Sequence, residues 1–199
     1  MKNVYNGSLT REKFLFYEMR IVAKLCCNGM NRKDILDTLQ KDNLFQFPTE
    51  KMIVNIANTC FKRIDALNSP ALVSYLAELP AEDAKQINLY AMMKYNKLVW
   101  DFMVTLIGEK YRTQVFELPS RDINVFMERI REQNDLIAAW SDSTIKKIKQ
   151  VLIRTLVECG YLDSYCTEKL NTVVIVSELE DAIRDSGDLS ALPAFNCFV

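Results

Sequence analysis

The stretch SDSTIKKIKQVLIRTLVECGYLDSYCTEKLNTVVIV, residues 141–176, decides the predicted fold class. Ser141 is a suitable helix N-cap, because its hydroxyl can accept hydrogen bonds from the first backbone amides of a helix. Gly160 stands where a helix C-cap favours positive φ. Between them, apolar residues recur every three or four positions, which predicts one buried face on a helix over residues 144–159: Ile145, Ile148, Val151, Leu152, Leu156 and Cys159.

Two β-prone runs follow this helix, at Tyr161–Cys166 and Asn171–Val176, and a polar turn separates them. A helix followed by a small hairpin is the second half of a winged helix-turn-helix. The sequence therefore predicts a mainly α protein with two packed helical subdomains of helix-turn-helix-like type. A small C-terminal β-hairpin, the wing, would follow the helix over residues 144–159.

The outer surface of the same helix is cationic, and no acidic residue lies between Asp142 and Glu158. Such a surface can lie against phosphates without repulsion from its own neighbours. Lysine dominates over arginine, which favours backbone contacts with weak sequence preference over bidentate reading of guanine. The predicted DNA-binding residues of this helix are Lys146, Lys147, Lys149, Gln150 and Arg154.

A second polar stripe is predicted on a helix that begins near residue 50. Lys51, Asn55, Asn58 and Lys62 recur at i, i+4, i+7 and i+11, and such side chains can reach base edges and phosphates. A shorter helix capped by Asn31 precedes it, so the pair resembles a helix-turn-helix. The alternative is an ordinary solvated face.

A basic first helix, opened by Ser8 or Thr10, would add three more cations to the predicted DNA-binding surface: Arg11, Lys13 and Arg20.

Two subdomains are predicted from the distribution of apolar residues. Residues 81–112 are the most apolar part of the chain and fit two helices with a break near Tyr95–Asn96. The segment Gln114–Pro119 is a natural hinge. The predicted domains are a helical subdomain with helix-turn-helix-like helices over residues 1–113, and a winged-helix-like subdomain over residues 114–199.

The composition argues against most catalytic and metal sites. The 199 residues include no histidine, which removes Ser-His and Cys-His triads and His-ligated metals. With five glycines the chain has no P-loop and no GxGxxG, and its six cysteines form no CxxC pair. We therefore expect a non-enzymatic protein without metal, cofactor or small-molecule substrate.

Charge and hydropathy indicate the compartment and the kind of partner. The 25 basic and 26 acidic residues give a net charge of −1, so nonspecific coating of nucleic acid by a cationic protein is not expected. There is no signal peptide, and no charge-free run approaches the length of a membrane span. A soluble, cytoplasmic protein is predicted.

Three segments together carry a family resemblance: YNGSLTREKFLFYEMRIVAKLCCNGMNRKDIL (residues 5–36), KYNKLVWDFMVTLIGEKY (94–111) and AAWSDSTIKKIKQVLIRTLVECGYL (138–162). They resemble the BrxA family, a small protein at the start of bacteriophage exclusion (BREX) gene clusters in bacteria. The resemblance implies a role in phage defence, an all-helical fold similar to the antitermination factor NusB, and binding to DNA. It also implies other BREX subunits as partners. A true wing would depart from that all-helical fold.

Three functions remain open at this point. The leading hypothesis is an accessory protein that binds double-stranded DNA through phosphate contacts. The second is a protein-interaction scaffold of the defence complex, docking through the acidic helix after Ser177 and the apolar tail: Leu189, Leu192, Pro193, Phe195 and Phe198. RNA binding, suggested by the NusB-like fold, is the third.

Overall fold

The computed structural model describes residues 5–198, which are mainly helix joined by short loops. The α-helices within this range are α1 Phe16–Cys27, α2 Arg32–Lys41, α3 Glu50–Leu67, α4 Pro70–Glu78, α5 Ala81–Tyr95, α6 Lys97–Phe102, α7 Gly108–Arg112, α8 Ser120–Gln133, α9 Asp135–Ala138, α10 Asp142–Glu158 and α11 Ser177–Asp185. Gly7–Thr10 and Leu189–Phe195 form 3₁₀ helices, and Met103–Ile107 forms a π-helical turn. The mainly α prediction is confirmed.

Several predicted helix boundaries are confirmed by their caps. The Ser141 hydroxyl accepts from the backbone N–H of Thr144 at 3.3 Å, and Gly160 has a φ of 78°. The predicted break near Tyr95–Asn96 is also present, because the Asn96 side chain accepts from Leu98 N at 3.0 Å and opens α6. These polar caps satisfy backbone amides that have no partner inside the helix.

The predicted wing is wrong. Residues 5–198 contain no β-strand, and the pairing they do show is one isolated antiparallel bridge between Glu117 and Lys169. The backbone N–H of Leu170 donates to Phe116 O at 3.0 Å, and Leu118 N donates to Glu168 O at 2.6 Å. Residues 168–170, within the polar turn, therefore pair with the chain before α8. The two β-prone runs are joined by a hydrogen bond from Asn171 N to Tyr161 O at 2.8 Å, but neither forms a strand.

The first of the two β-prone runs terminates α10 instead of forming a strand. The Tyr161 N–H donates to Leu156 O at 2.8 Å, and the buried Tyr161 ring places its hydroxyl 3.0 Å from Ala194 O. β-Propensity measures how well a side chain fits a half-buried surface, so it does not distinguish a strand from a packed loop. Val173 is buried whereas Val174 is 85% exposed, an alternation that a loop reproduces.

The prediction of a first helix from Ser8 or Thr10 is also wrong. The Asn6 side chain caps the short 3₁₀ helix Gly7–Thr10, and α1 begins only at Phe16. Phe14 is buried and Leu15 has a φ of 55°, a left-handed conformation that interrupts a right-handed helix. The residues between these two helices, Arg11 and Lys13 among them, therefore lie in a loop.

The described residues form two compact units. The α1–α5 unit comprises Leu15–Tyr95, and in it α1 packs on α4 and α3 packs on α5. The α6–α11 unit comprises the described residues of Met1–Phe14 and Asn96–Val199. The domain boundary placed at residue 113 from the sequence stays a prediction, since compactness does not test independent folding.

The α6–α11 unit is closed by the C-terminal tail and by the N-terminal 3₁₀ turn. The turn Gly7–Thr10 packs on α10, and the tail Leu189–Phe195 packs on α7. Gly108 permits the second contact, because a Cβ at that position would lie 3.2 Å from Ala194 N and 3.3 Å from Pro193 C. Ala191–Phe195 are consequently buried.

Candidate nucleic-acid interface

Helix α10 presents an exposed cationic arc. Its apolar residues Ile148, Leu152 and Leu156 are buried, so the opposite side of the helix is fixed toward solvent. At about 100° per residue, the outward positions fall within an arc of about 100° around the helix axis. We define this α10 arc by four exposed residues: Lys146, Lys147, Gln150 and Arg154.

Lys149 is predicted with the α10 arc but points to a different side of the helix. Its ammonium group donates to Asn124 Oδ1 of α8 at 2.8 Å, and it lines a recess that also contains the carboxylates Glu128 and Asp142. Arg131 and Asp142 form an ion pair across the same region at 3.5 Å. The predicted five-residue cationic face is therefore a four-residue arc with Lys149 turned toward α8.

The α10 arc borders a recess of about 420 Å³ that another part of the chain helps to form. Lys13, from the loop between the 3₁₀ turn and α1, brings a further cation to it, and Tyr165 brings an aromatic ring. Proximity of Lys13 to α10 follows from the packing of the Gly7–Thr10 turn on α10. We call this the Tyr165 recess; it is lined by Lys13, Lys147, Gln150, Val151, Ile153, Arg154 and Tyr165.

One carboxylate moderates the positive charge of the recess. Arg154 Nε donates to Glu158 Oε1 at 2.6 Å, one turn along α10, and both side chains are partly exposed. This hydrogen bond and the charge of Glu158 raise the pKa of Arg154 above its ordinary value. Arg154 is thus permanently charged and held in orientation. Lys146 and Lys147 have no ion pair within residues 5–198.

The predicted stripe on α3 is exposed along its whole length: Lys51, Asn55, Asn58 and Lys62 all face solvent. Thr49 caps the helix by accepting from Met52 N at 3.3 Å, and Asn31 caps α2 by accepting from Lys33 N and Asp34 N. Both helices of the predicted pair are present, whereas their helix-turn-helix character stays a prediction. Arg63, which the sequence places beside the stripe, is instead buried.

The remaining two predicted cations have different environments. Arg11 is exposed in the loop before α1. The Arg20 guanidinium group makes two hydrogen bonds within the α1–α5 unit: Nη2 donates to Leu79 O at 2.7 Å and Nε donates to Ala77 O at 3.3 Å. These carbonyls lie at the end of α4, where a helix has unsatisfied acceptors. Arg20 therefore stabilises the α1–α5 unit and is poorly placed to contact DNA.

Sequence reasoning missed Tyr165 and a second arginine-bearing surface. A recess of about 410 Å³ lies next to the π-helical turn and is lined in part by Arg121 and Arg129 of α8. Arg129 Nη2 donates to Thr105 Oγ1 at 2.9 Å and its guanidinium lies over the Phe126 ring. Tyr165 was missed because the sequence places it in a β-prone run, whereas in the structure it lies in a turn and is 61% exposed.

The cysteines differ in exposure, and within residues 5–198 they form no potential metal-binding cluster with acidic side chains. Within residues 5–198, no three side chains of the His, Cys, Asp and Glu types meet in a way that could hold a metal ion. All six cysteines are free thiols, and burial raises the pKa of Cys60 to about 12. In the same range, no helix combines the length and apolar character that crossing a bilayer requires.

Comparison with known proteins gives the family. A family model described as BrxA matches residues 3–187. The chain belongs to the BrxA family. A BREX protein BrxA of Bacillus cereus (strain H3081.97) is 32% identical over 188 residues, which is 94% of each chain. As a BrxA protein, this chain is a component of a BREX phage-defence system.

More distant BrxA relatives agree with this assignment, and a solved structure shares the fold. The BREX protein BrxA of Paramagnetospirillum magneticum is 24% identical over 86% of this chain and 85% of its own. The one from Escherichia coli O9:H4 is 23% identical over 91% and 84%. The crystal structure of an uncharacterized protein from Magnetospirillum magneticum has the same fold, with a TM-score of 0.81, 22% identity and coverage of 96% and 97%.

Proposed function

We propose that this BrxA protein is a non-enzymatic accessory protein of its BREX system that binds duplex DNA mainly through phosphate contacts. The observation that carries the proposal is the α10 arc, whose cations continue into a recess that Lys13 also lines. A concave surface lined by positive charges concentrates the local electric field and attracts a polyanion. The net charge of −1 does not oppose this, because the field is local.

The types of side chain favour the DNA backbone over the bases. Lysine ammonium groups are compact point charges that suit phosphates, whereas bidentate recognition of guanine prefers arginine. In the α6–α11 unit the exposed cations on and beside the α10 arc are Lys146, Lys147, Arg154, Lys13 and Arg11. We expect weak sequence preference and a steep dependence of affinity on salt.

The α3 stripe is a second surface for the same ligand. Lys51 and Lys62 can contact phosphates, while the exposed amides of Asn55 and Asn58 can reach the edges of bases in a groove. The stripe belongs to the α1–α5 unit, so its contribution can be measured separately from that of the α10 arc.

A salt series with a charge-reversal variant tests the proposal. Fluorescence anisotropy of a labelled 20-base-pair duplex should show affinity that falls on the order of a thousandfold between about 50 and 200 mM salt, if about six phosphates are neutralised. The triple variant Lys146→Glu, Lys147→Glu and Arg154→Glu should lose most of this affinity. It should also reduce the slope of log K against log salt by about three.

A matched control separates a specific surface from a change in total charge. Lys24, Lys33 and Lys41 are exposed and lie outside the α10 arc and the α3 stripe, so Lys24→Glu, Lys33→Glu and Lys41→Glu give the same charge change. If both triple variants weaken binding equally, the interface is not on α10. Wild-type binding that is absent or insensitive to salt overturns the proposal.

The scaffold function is tested by different residues. Of the apolar tail residues predicted to dock a partner, Leu192, Pro193 and Phe195 are buried within the α6–α11 unit. Leu189 and Phe198 remain about half exposed, at 45% and 48%. Within the tail, a docking role would use these two residues, beside the acidic helix α11. Leu189→Ser with Phe198→Ser should then weaken partner pull-down while DNA binding is retained. Competition with structured RNA distinguishes RNA binding.

A further inference from the structure

The Tyr165 recess has a mixed lining that phosphate contacts alone do not use. Tyr165 is 61% exposed beside the cations, and Val151, which also lines the recess, is buried. Gln150 adds an amide that can both donate and accept hydrogen bonds. A recess for phosphate alone needs neither an aromatic face nor an amide.

The chemistry of this lining selects one class of ligand. An apolar ligand would desolvate the cations of the recess and offer them no hydrogen-bond acceptor in return. A bare phosphate would leave the ring and the amide unused, and the bases of a regular duplex are stacked and cannot present a face to a side chain. A nucleobase has both a π-face for an aromatic ring and an edge for an amide, and it is joined to a phosphate.

Arg154 can take part even though Glu158 is bound to it. The carboxylate accepts from Nε, which is one of five N–H donors of a guanidinium group. The volume of about 420 Å³ lies within the range of small-molecule sites, roughly 300–1,000 Å³. Lys146 continues the α10 arc beyond the recess, where the next phosphate of a strand would lie.

We propose that the Tyr165 recess takes one unpaired nucleotide, with its base against Tyr165 and its phosphate against Lys147 and Arg154. The inference rests on the proposed DNA binding where the nucleotide is an extrahelical unit of a strand. A free mononucleotide has the same chemistry and would occupy the same contacts.

The first arm of the test uses DNA. Three labelled duplexes are compared by anisotropy: fully paired, with one bulged adenine, and with one bulged abasic residue that has the same phosphate charge. Stacking on an aromatic side chain predicts that the adenine bulge binds about fivefold or more tighter than the abasic bulge. Tyr165→Ala should bring this ratio to about one, and Tyr165→Phe should preserve it because the ring remains.

The second arm uses adenosine monophosphate alone, measured by calorimetry on the full-length protein. Binding that is lost in Tyr165→Ala assigns the recess to a free nucleotide even if no DNA binds, so failure of the proposed function is distinguishable from failure of this inference. Tyr17→Ala is the matched control, since Tyr17 is 70% exposed and lies in the α1–α5 unit. Equal affinities for the two bulges, together with no Tyr165-dependent binding of the mononucleotide, overturn the inference.

Discussion

Helices α3 and α10 both show a buried apolar face and an exposed cationic face, but their surroundings differ. On α3 the polar side chains form a single exposed row from Lys51 to Lys62. On α10 the row is joined by Lys13, which is distant in sequence, and by Tyr165 from the segment after the helix; together they turn part of it into a recess. Spacing along a helix predicts which side chains face solvent, whereas the neighbours of that face depend on the tertiary fold.

The largest expected effect comes from reversing equal charges on the two helices. Lys146→Glu with Lys147→Glu should weaken duplex binding on the order of a hundredfold, because cations beside a concave surface act in a focused field. Lys51→Glu with Lys62→Glu should weaken it on the order of tenfold, since the row on α3 is open to solvent and screened by salt. Anisotropy titrations at one fixed salt concentration measure both.

Equal losses from the two pairs would show that the recess adds nothing to duplex binding. A greater loss from the α3 pair would place the main surface on that helix. Circular dichroism of both variants is the control for folding, and all four lysines are exposed, so no loss of structure is expected.

The next effect is on stability and concerns two arginines near the start of the chain. Arg20→Ala removes two hydrogen bonds to carbonyls at the end of α4 and should lower the free energy of unfolding by about 1–2 kcal/mol. Arg11→Ala, in an exposed loop, should change it by less than about 0.5 kcal/mol. Urea unfolding measures both. Equal stabilities would mean that Arg20 is not the structural residue its contacts indicate.

A smaller effect is expected at the acidic edge of the recess. Glu158→Gln removes the carboxylate that neutralises Arg154, so DNA affinity should rise about two- to fivefold, in line with the strength of a partly exposed ion pair. Glu180→Gln is the matched control, because Glu180 forms the same i, i+4 pair with Arg184 on α11. A rise in both variants would indicate a general effect of charge and not a contribution of Arg154.

The smallest expected effect concerns the buried thiol of Cys60 on α3. Burial raises the pKa of Cys60 from 9.0 to about 12, so this thiol stays neutral in the folded protein under ordinary conditions. At pH 8, iodoacetamide should label the exposed Cys27 and Cys166 but not Cys60, as peptide mass spectrometry can show. The contribution of the neutral Cys60 thiol to the free energy of unfolding is fully present below pH 9. It is lost as the pH rises from 9 to about 12, because the unfolded chain then releases the proton first. Labelling of Cys60 in the native protein would contradict the burial.

Much of the helical framework could be predicted because its signals are local. Ser141, Thr49 and Asn96 act as caps through hydrogen bonds to amides two or three residues away. The exposure of the α3 stripe and of most of the α10 arc follows from helical spacing in the same way. Such interactions depend on neighbours in sequence, so they are visible before the structure is known.

The errors concern features that depend on distant partners. The wing was wrong because Glu168 and Leu170 pair with the chain before α8, about fifty residues away. The predicted start of the first helix was wrong because Leu15 adopts a left-handed conformation next to a buried Phe14. Lys13 and Tyr165 meet beside α10 for the same kind of reason, and neither spacing nor composition contains that information.

The contact between Gly108 and the tail changes what a truncation experiment can mean. Truncation before Leu189 would remove five buried residues and expose the N-terminal end of α7 to solvent. Loss of a partner in such a shortened protein would report exposure of its interior and not the loss of a docking motif. The C-terminal segment is therefore part of the hydrophobic core of its unit. Its exposed side chains should be tested by single substitutions in the full-length protein.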